Sequence, residues 1–115
     1  MFTLPSSVQV YLCPLPTDMR KSFDSLAAMA VQEIRQNPLS GHLFVFFNRP
    51  RNRVKILFWD RTGYCLYYKR LEAGTFSVPV DGDSGFVISL PALTLILEGI
   101  DLAGARKRKR FSLSA

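Results

Sequence analysis

The residues best suited to chemistry in this chain are its positively charged side chains, which concentrate in two segments. Between positions 49 and 70, seven basic residues accompany a single acidic residue, Asp60. These basic residues are Arg49, Arg51, Arg53, Lys55, Arg61, Lys69 and Arg70. The second segment has no acidic residue and consists of Arg106, Lys107, Arg108, Lys109 and Arg110. The rest of the chain is acidic on balance, so a formal charge of +6 conceals a strongly uneven distribution.

Segregated positive charge is typical of a protein with a polyanionic partner, whether nucleic acid, an acidic protein surface or anionic lipid. Arginine in particular makes bidentate contacts with phosphate oxygens and with the edges of guanine. Trp59 and Tyr67 lie among the lysines and are candidates for stacking on bases, although aromatic residues alone favour a place in the core. We therefore predict that both basic segments bind nucleic acid, with DNA as the expected ligand.

Residue types that catalysis requires are sparse in this sequence. His42 is the only histidine and opens an apolar run, which favours a structural role over that of a general base. Asp18 and Asp24 lie on one predicted helix but point about 120° apart, so they do not converge on a metal ion. Cys13 and Cys65 have the spacing of neither a zinc site nor a disulfide framework. We expect no catalytic residue, no metal site and no cofactor.

Hydrophobic spacing predicts two helices. Apolar residues recur with a helical period over 19–34, so one long helix should begin after the N-cap Thr17 and end before Pro38. A shorter helix should be capped by Ser89 and end at Gly99.

Strands are predicted over 8–13, 42–47, 53–59 and 64–70, with a short edge strand over 76–80. The turn Asp60–Gly63, with Gly63 at positive φ, should join 53–59 and 64–70 into an antiparallel hairpin in which Trp59 lies opposite Cys65. That register places the aromatic residues Trp59 and Tyr67 on one face with both lysines. It places the following residues in a core beneath the long helix: Val54, Ile56, Phe58, Leu66 and Tyr68.

These elements predict one α+β domain over residues 1–104, followed by a basic, disordered tail over 105–115. The domain should contain an antiparallel sheet of about four to five strands, one long N-terminal helix packed on it and a short C-terminal helix. The longest apolar stretch, Phe86–Leu97, is shorter than the ~20 residues that a bilayer requires, and no targeting segment is visible. We expect a cytoplasmic protein with no membrane association.

Three stretches of the sequence resemble a known family: PTDMRKSFDSLA at 16–27, GHLFVFFNRPRNRVKILFWDRTGYCLYYKRLEAGTF at 41–76 and LEGIDL at 97–102. They are similar to the small accessory protein, labelled TnpB, that is encoded by the second reading frame of the bacterial insertion-sequence family numbered sixty-six. The resemblance covers residues 8–103 and implies a protein encoded beside a separate DDE-type transposase that assists transposition. It implies no catalytic residue, because the family has none assigned. The sequence departs from the family pattern at Phe47 and Pro50, where polar or basic residues are common.

The leading hypothesis from the sequence is a non-catalytic accessory protein for transposition that binds DNA through the basic hairpin and the tail. The alternative is an adaptor whose basic face binds the transposase of the element without direct contact with DNA. A third hypothesis, an enzyme acting on nucleic acid, requires activity with a divalent metal ion.

Overall fold

The computed structural model describes residues 7–78, 86–101 and 106–107 and confirms an α+β domain. The order of elements is β1 Val10–Leu12, α1 Phe23–Met29, a π-helical turn Ala30–Ile34, β2 Leu43–Phe47, β3 Arg53–Trp59, β4 Tyr64–Arg70, β5 Phe86–Ile88, α2 Leu90–Glu98, β6 Ile100–Asp101 and β7 Arg106–Lys107. Of the predicted tail, the structure describes only Arg106–Lys107, which pair as β7 with β6. Within the described residues, no helix combines the length and apolar character needed to cross a bilayer.

The main sheet has five strands in the order β4-β3-β2-β1-β5. The predicted purely antiparallel sheet is wrong, because β1 and β2 run parallel while all other neighbours run antiparallel. Parallel neighbours need a crossover connection, and the helical segment between β1 and β2 supplies it. Strand β5 has only three residues, too few to show a period of two in the sequence. The strand predicted over 76–80 is not formed by residues 76–78, and residues 79–80 lie outside the described chain.

The predicted long N-terminal helix is also wrong, because the α-helical part is limited to seven residues. Its predicted N-cap, Thr17, instead donates its backbone N–H to the carbonyl of Phe47 at 2.8 Å and extends the pairing of β1 with β2. The helix begins after Ser22, whose backbone N–H donates to Ser25 Oγ at 2.9 Å. The segment then widens into the π-helical turn and ends at Arg35, which adopts a left-handed conformation with φ 61°.

The π-helical turn changes which apolar residues are buried. A π-helix bonds i to i+5 and so does not keep the 3.6-residue period of the sequence. Leu26 and Ala30 are fully buried, whereas Phe23 and Val31 are 44% and 52% exposed. The apolar stripe predicted for one continuous helix therefore lies only partly in the core.

The β3–β4 hairpin differs from the predicted register by one residue. Trp59 pairs with Tyr64 rather than with Cys65, across a loop of four residues. Arg61, with φ 87°, takes the left-handed conformation that was predicted for Gly63. Because side chains alternate between the faces of a strand, this shift moves every side chain of β4 to the face opposite the predicted one.

The central strands β2 and β3 are buried on both faces of the sheet. Ile56 and its neighbours Val54 and Phe58 pack with Leu93 and Ile96 of α2. The opposite face carries Leu57, Leu66 and Phe44 and packs against the segment of α1 and the π-helical turn, through Leu26, Ala30 and Ile34. The predicted core beneath the long helix is therefore divided between two faces. The predicted bounds of α2 are confirmed, since Ser89 Oγ accepts a hydrogen bond from Ala92 N at 3.1 Å and Gly99 closes the helix with φ 82°.

Candidate nucleic-acid interface

The loop between β2 and β3, residues 48–52, is folded around the side chain of Asn48. Asn48 Oδ1 accepts hydrogen bonds from the backbone N–H groups of Asn52 and Arg53, both at 3.0 Å. Asn48 Nδ2 donates to Asn52 Oδ1 at 2.6 Å, and Arg51 takes a left-handed conformation with φ 57°. Asparagine side chains commonly stabilise turns by bonding to the backbone that follows. Asn48 thus fixes the loop, a role that was not predicted from the sequence.

The same loop is tied to the chain that follows β4. The N–H groups of Leu71 and Phe76 donate to the carbonyls of Asn52 and Arg51 at 2.8 and 2.6 Å. The carbonyl groups of the loop therefore face the segment that follows β4. The side chain of Arg49 is exposed, and that of Arg51 is partly exposed.

Four arginines gather at this end of the sheet, and we call them the arginine end: Arg49, Arg51, Arg53 and Arg70. Arg53 and Arg70 are directly paired at the open end of the β3–β4 hairpin. The guanidinium of Arg53 donates to the hydroxyl of Tyr68 at 2.9 Å. Arg70 forms an ion pair with Glu72 at 2.7 Å, in which both side chains are about half exposed. Water screens such a pair, so it leaves Arg70 accessible to another anion.

The two lysines of the hairpin form internal hydrogen bonds. Lys55 is only 6% exposed, and its Nζ donates to the carbonyls of Met19 and Lys21 at 2.7 and 2.6 Å. Its ammonium also lies 4.7 Å from the centre of the Tyr68 ring. Lys69 Nζ donates to the carbonyl of Leu97, in the last turn of α2, at 2.7 Å. Neither ammonium belongs to the freely exposed basic surface.

Arg61 is exposed but lies in the turn at the opposite end of the hairpin. Seven residues of extended chain separate the two ends of β3, a distance of roughly 20 Å at the usual rise of a strand. The positive side chains near the hairpin therefore do not form one continuous field. Beside Arg61, the pKa of Asp60 is lowered, chiefly by a hydrogen bond from the Cys65 thiol at 3.4 Å.

The aromatic pair predicted for stacking does not share a face. Tyr67 pairs with Ile56 and packs against the core beneath α2, whereas Trp59 lies on the other face beside Tyr64. The rings of Trp59 and Tyr64 meet edge to face, with centroids 5.2 Å apart. The one-residue shift in register separates the two residues, so they do not form a joint platform.

A groove of about 510 Å³ opens beside the arginine end. It is lined by Pro16, Thr17 and Met19 from the segment after β1 and by Asn48, Arg49 and Arg53 from the β2–β3 loop and the start of β3. Asp18 also lines it, and its carboxylate forms an ion pair with Arg20 at 2.6 Å. Hydrogen bonds from the Arg20 side chain and backbone lower the pKa of Asp18 to about 2, so this carboxylate is charged and paired at neutral pH.

The remaining predicted site residues lie in the basic segment near the C-terminus. The structure describes only the backbone of Arg106 and Lys107, and Arg108, Lys109 and Arg110 lie outside the described residues. Over the part of the chain that is described, no group of three or more histidine, cysteine or carboxylate residues is placed to hold a metal ion.

Comparison with known proteins shows the family to which the chain is similar. Residues 8–107 match the family described as IS66 Orf2 like protein. The chain is 40% identical over 100 residues to the uncharacterized protein y4hO of Sinorhizobium fredii (strain NBRC 101917 / NGR234), covering 85% of this chain and 87% of that protein. It is 26% identical over 101 residues to the uncharacterized protein y4jC of the same strain, covering 88% and 86% of the two chains. No solved structure gives a significant match.

Proposed function

This chain belongs to the family of IS66 Orf2 like proteins, and from that premise we propose that it is a non-catalytic accessory protein that binds DNA during transposition. Membership of the family indicates an accessory role in the transposition of an insertion sequence. The step that we add is direct contact between the arginine end and the phosphate backbone of DNA.

The observation that carries this proposal is the position of the four arginines at one end of the sheet. Arg49 and Arg51 come from the short loop that Asn48 stabilises, and Arg53 comes from the strand that follows it. The fourth, Arg70, lies directly opposite Arg53. The acidic side chains that the structure places there, Asp18 and Glu72, are each paired with an arginine. The end of the sheet therefore carries a net positive charge, as a surface for DNA requires.

Contacts of this kind would position the protein on DNA without reading its sequence. Arginine–phosphate contacts release counterions, so the affinity falls as the salt concentration rises. The basic residues 106–110 would add to the same electrostatic attraction. We assign no base-reading residue, because Trp59 and Tyr67 lie on opposite faces of the sheet.

The double substitution Arg49→Gln with Arg51→Gln tests this function in an electrophoretic mobility-shift assay at two or more salt concentrations. We expect weaker binding to every duplex, whether element end or unrelated sequence. The slope of log K against log salt should become shallower by about 0.9 for each phosphate that the variant no longer neutralises. Arg61→Gln removes one positive charge, half of what the double variant loses, at the far end of the hairpin and is the control for loss of charge outside the arginine end. Equal affinity and equal slope for the double variant and the wild type would disprove the proposal.

Exposed apolar residues on the helical side favour a second candidate function, an adaptor that binds the transposase. Phe23 and Val31 are large apolar residues of the α1 and π-helical segment that the core does not cover. Such residues are common at protein interfaces. Co-purification with the transposase after nuclease treatment should survive if this contact is direct, and Phe23→Ser with Val31→Ser should abolish it. Loss of the complex on nuclease treatment alone would exclude the adaptor.

A further inference from the structure

We infer that the groove beside the arginine end is a seat for one phosphate group of a nucleic-acid strand, and this inference rests on the proposed function. It goes beyond a general basic surface because it assigns a concave site and a positioning role to residues outside the predicted basic set. The chemistry is that of a phosphate oxygen held by two guanidinium groups, Arg49 and Arg53.

The position of the groove in the fold supports a binding site. β1 and β2 are parallel, and the groove is formed by the segments that leave their carboxyl ends, residues 16–19 and 48–49. In open α/β sheets, ligands commonly bind in the crevice beyond the carboxyl ends of parallel strands. The backbone bond from Thr17 N to the carbonyl of Phe47 fixes one segment against the other.

The guanidinium of Arg53 is held in place before any ligand binds. It donates to the Tyr68 hydroxyl at 2.9 Å, and the Tyr68 ring in turn lies against the buried ammonium of Lys55. The backbone N–H of Arg53 donates to the side chain of Asn48, which also lines the groove. A donor fixed in advance loses less conformational entropy on binding than a free arginine does. Tyr68 is thus a positioning residue for the site.

The electrostatic balance of the groove also favours an anion. Among the described residues, Asp18 is the one carboxylate that lines it, and its exposed ion pair with Arg20 at 2.6 Å offsets part of that charge. Arg49 and Arg53 place two positive charges on the described lining against this one carboxylate.

The size of the groove indicates that its ligand is larger than a bare phosphate ion. A volume of about 510 Å³ lies in the range of small-molecule sites and exceeds what one phosphate group occupies. Pro16 and Met19 add apolar residues to the lining, against which the sugar attached to the phosphate would pack.

Titration of the full-length, isotopically labelled protein with inorganic phosphate, followed by NMR at constant ionic strength with chloride as the control, tests the site. We expect shifts of the Nε–H groups of Arg49 and Arg53 and of the amides of 17–19, but not of Arg61. Arg49→Gln should weaken phosphate binding by about tenfold or more, because it removes a charge-assisted hydrogen bond. Tyr68→Phe leaves every charge in place and should weaken binding by roughly threefold, since it removes only the hydrogen bond that positions Arg53.

Two DNA duplexes of one sequence, with and without 5′-phosphates, distinguish the source of the group. Tighter binding of the phosphorylated duplex that depends on Arg49 assigns the groove to strand ends; equal binding assigns it to internal phosphodiesters. Uniform shifts over all exposed arginines, or an unchanged affinity in both Arg49→Gln and Tyr68→Phe, would overturn the inference while leaving DNA binding by the wider surface intact. Phosphate binding in the groove without any binding of DNA would instead overturn the proposed function and the assignment of the phosphate to nucleic acid, and would leave only an anion site in the groove.

Discussion

The β2–β3 loop and the hairpin strands that follow it carry similar positive side chains but use them differently. In the loop, Asn48 accepts two backbone hydrogen bonds and stabilises the turn, and the side chain of Arg49 is exposed and that of Arg51 partly exposed. In the strands, Lys55 and Lys69 bind carbonyl groups of distant segments and leave the free surface. The difference shows that the charge of a segment does not by itself define an interface. Whether a cation is free depends also on the backbone acceptors that the fold brings within its reach.

Lys55→Met should have the largest effect, and it should act on stability. Two carbonyls would lose their charged donor inside the protein, so we expect the free energy of unfolding to fall by about 2–4 kcal/mol. Chemical denaturation at neutral pH measures this loss. The DNA affinity of the folded fraction should stay within about twofold of the wild type. A drop in DNA affinity at an unchanged free energy of unfolding would show that Lys55 belongs to the interface and that the contrast between the loop and the strands is wrong.

Asn48→Ala should affect both properties, because Asn48 supports the loop that bears the arginines. We expect a loss of about 1–2 kcal/mol in stability, since two backbone N–H groups lose their acceptor. Mobility-shift titration should show a several-fold weaker affinity for DNA. Asn37→Ala is the matched control, because Asn37 also accepts a backbone hydrogen bond in a turn, from Leu39 N, but away from the arginines. Equal DNA affinities of the two variants would show that the loop supported by Asn48 has no special role in DNA binding.

Lys69→Met should cost less stability than Lys55→Met. A single hydrogen bond to Leu97 would be lost at the C-terminal end of α2, where a cation is favoured, and we expect about 1 kcal/mol. For a domain of this size, that corresponds to a decrease in Tm of roughly 4 °C. A calorimetric Tm as low as that of Lys55→Met would show that the two lysines are equally deep in the fold.

Arg20→Gln should have the smallest effect, and it tests how far Arg20 offsets the charge of Asp18 in the groove. Asp18 has a pKa of about 2, against 3.8 for the free side chain, so its contribution is present above pH 3.8 and is lost as the pH falls towards 2. Without the Arg20 guanidinium, the pKa of Asp18 should rise towards 3.8. The carboxyl carbon of Asp18, followed by NMR against pH, measures this shift. An ordinary pKa in the wild type would show that the ion pair does not form in solution.

Local signals in the sequence predicted part of the fold well. Ser89 and Gly99 mark the ends of α2, and the apolar runs of β2, β3 and β4 were placed close to their observed bounds. These signals depend on residues that are near one another in the chain. The same is true of the loop arginines, whose exposure follows from the turn-forming residues around them.

The errors at Thr17 and Lys55 arose where a distant partner overrides a local preference, whereas the error in the hairpin register arose within its turn. Thr17 is a good N-cap by type, yet its N–H pairs with Phe47, thirty positions away, and the helix starts later. The hairpin register depended on which residue of the turn adopts positive φ, and Arg61 does so instead of Gly63. The carbonyl partners of Lys55 lie 34 and 36 positions away, so no local pattern could reveal its burial.

The short strand β1 has a consequence for how the protein is made. It lies between β2 and β5, and its partners are residues 43–45 and 86–88. During translation, one edge of β1 can pair once the helical crossover and β2 have emerged from the ribosome. The other edge stays without its strand until residue 88 has been synthesised. The sheet therefore closes late, and contacts this distant in sequence slow folding. A nascent chain stalled before β5 would present an open strand edge to other chains and to chaperones.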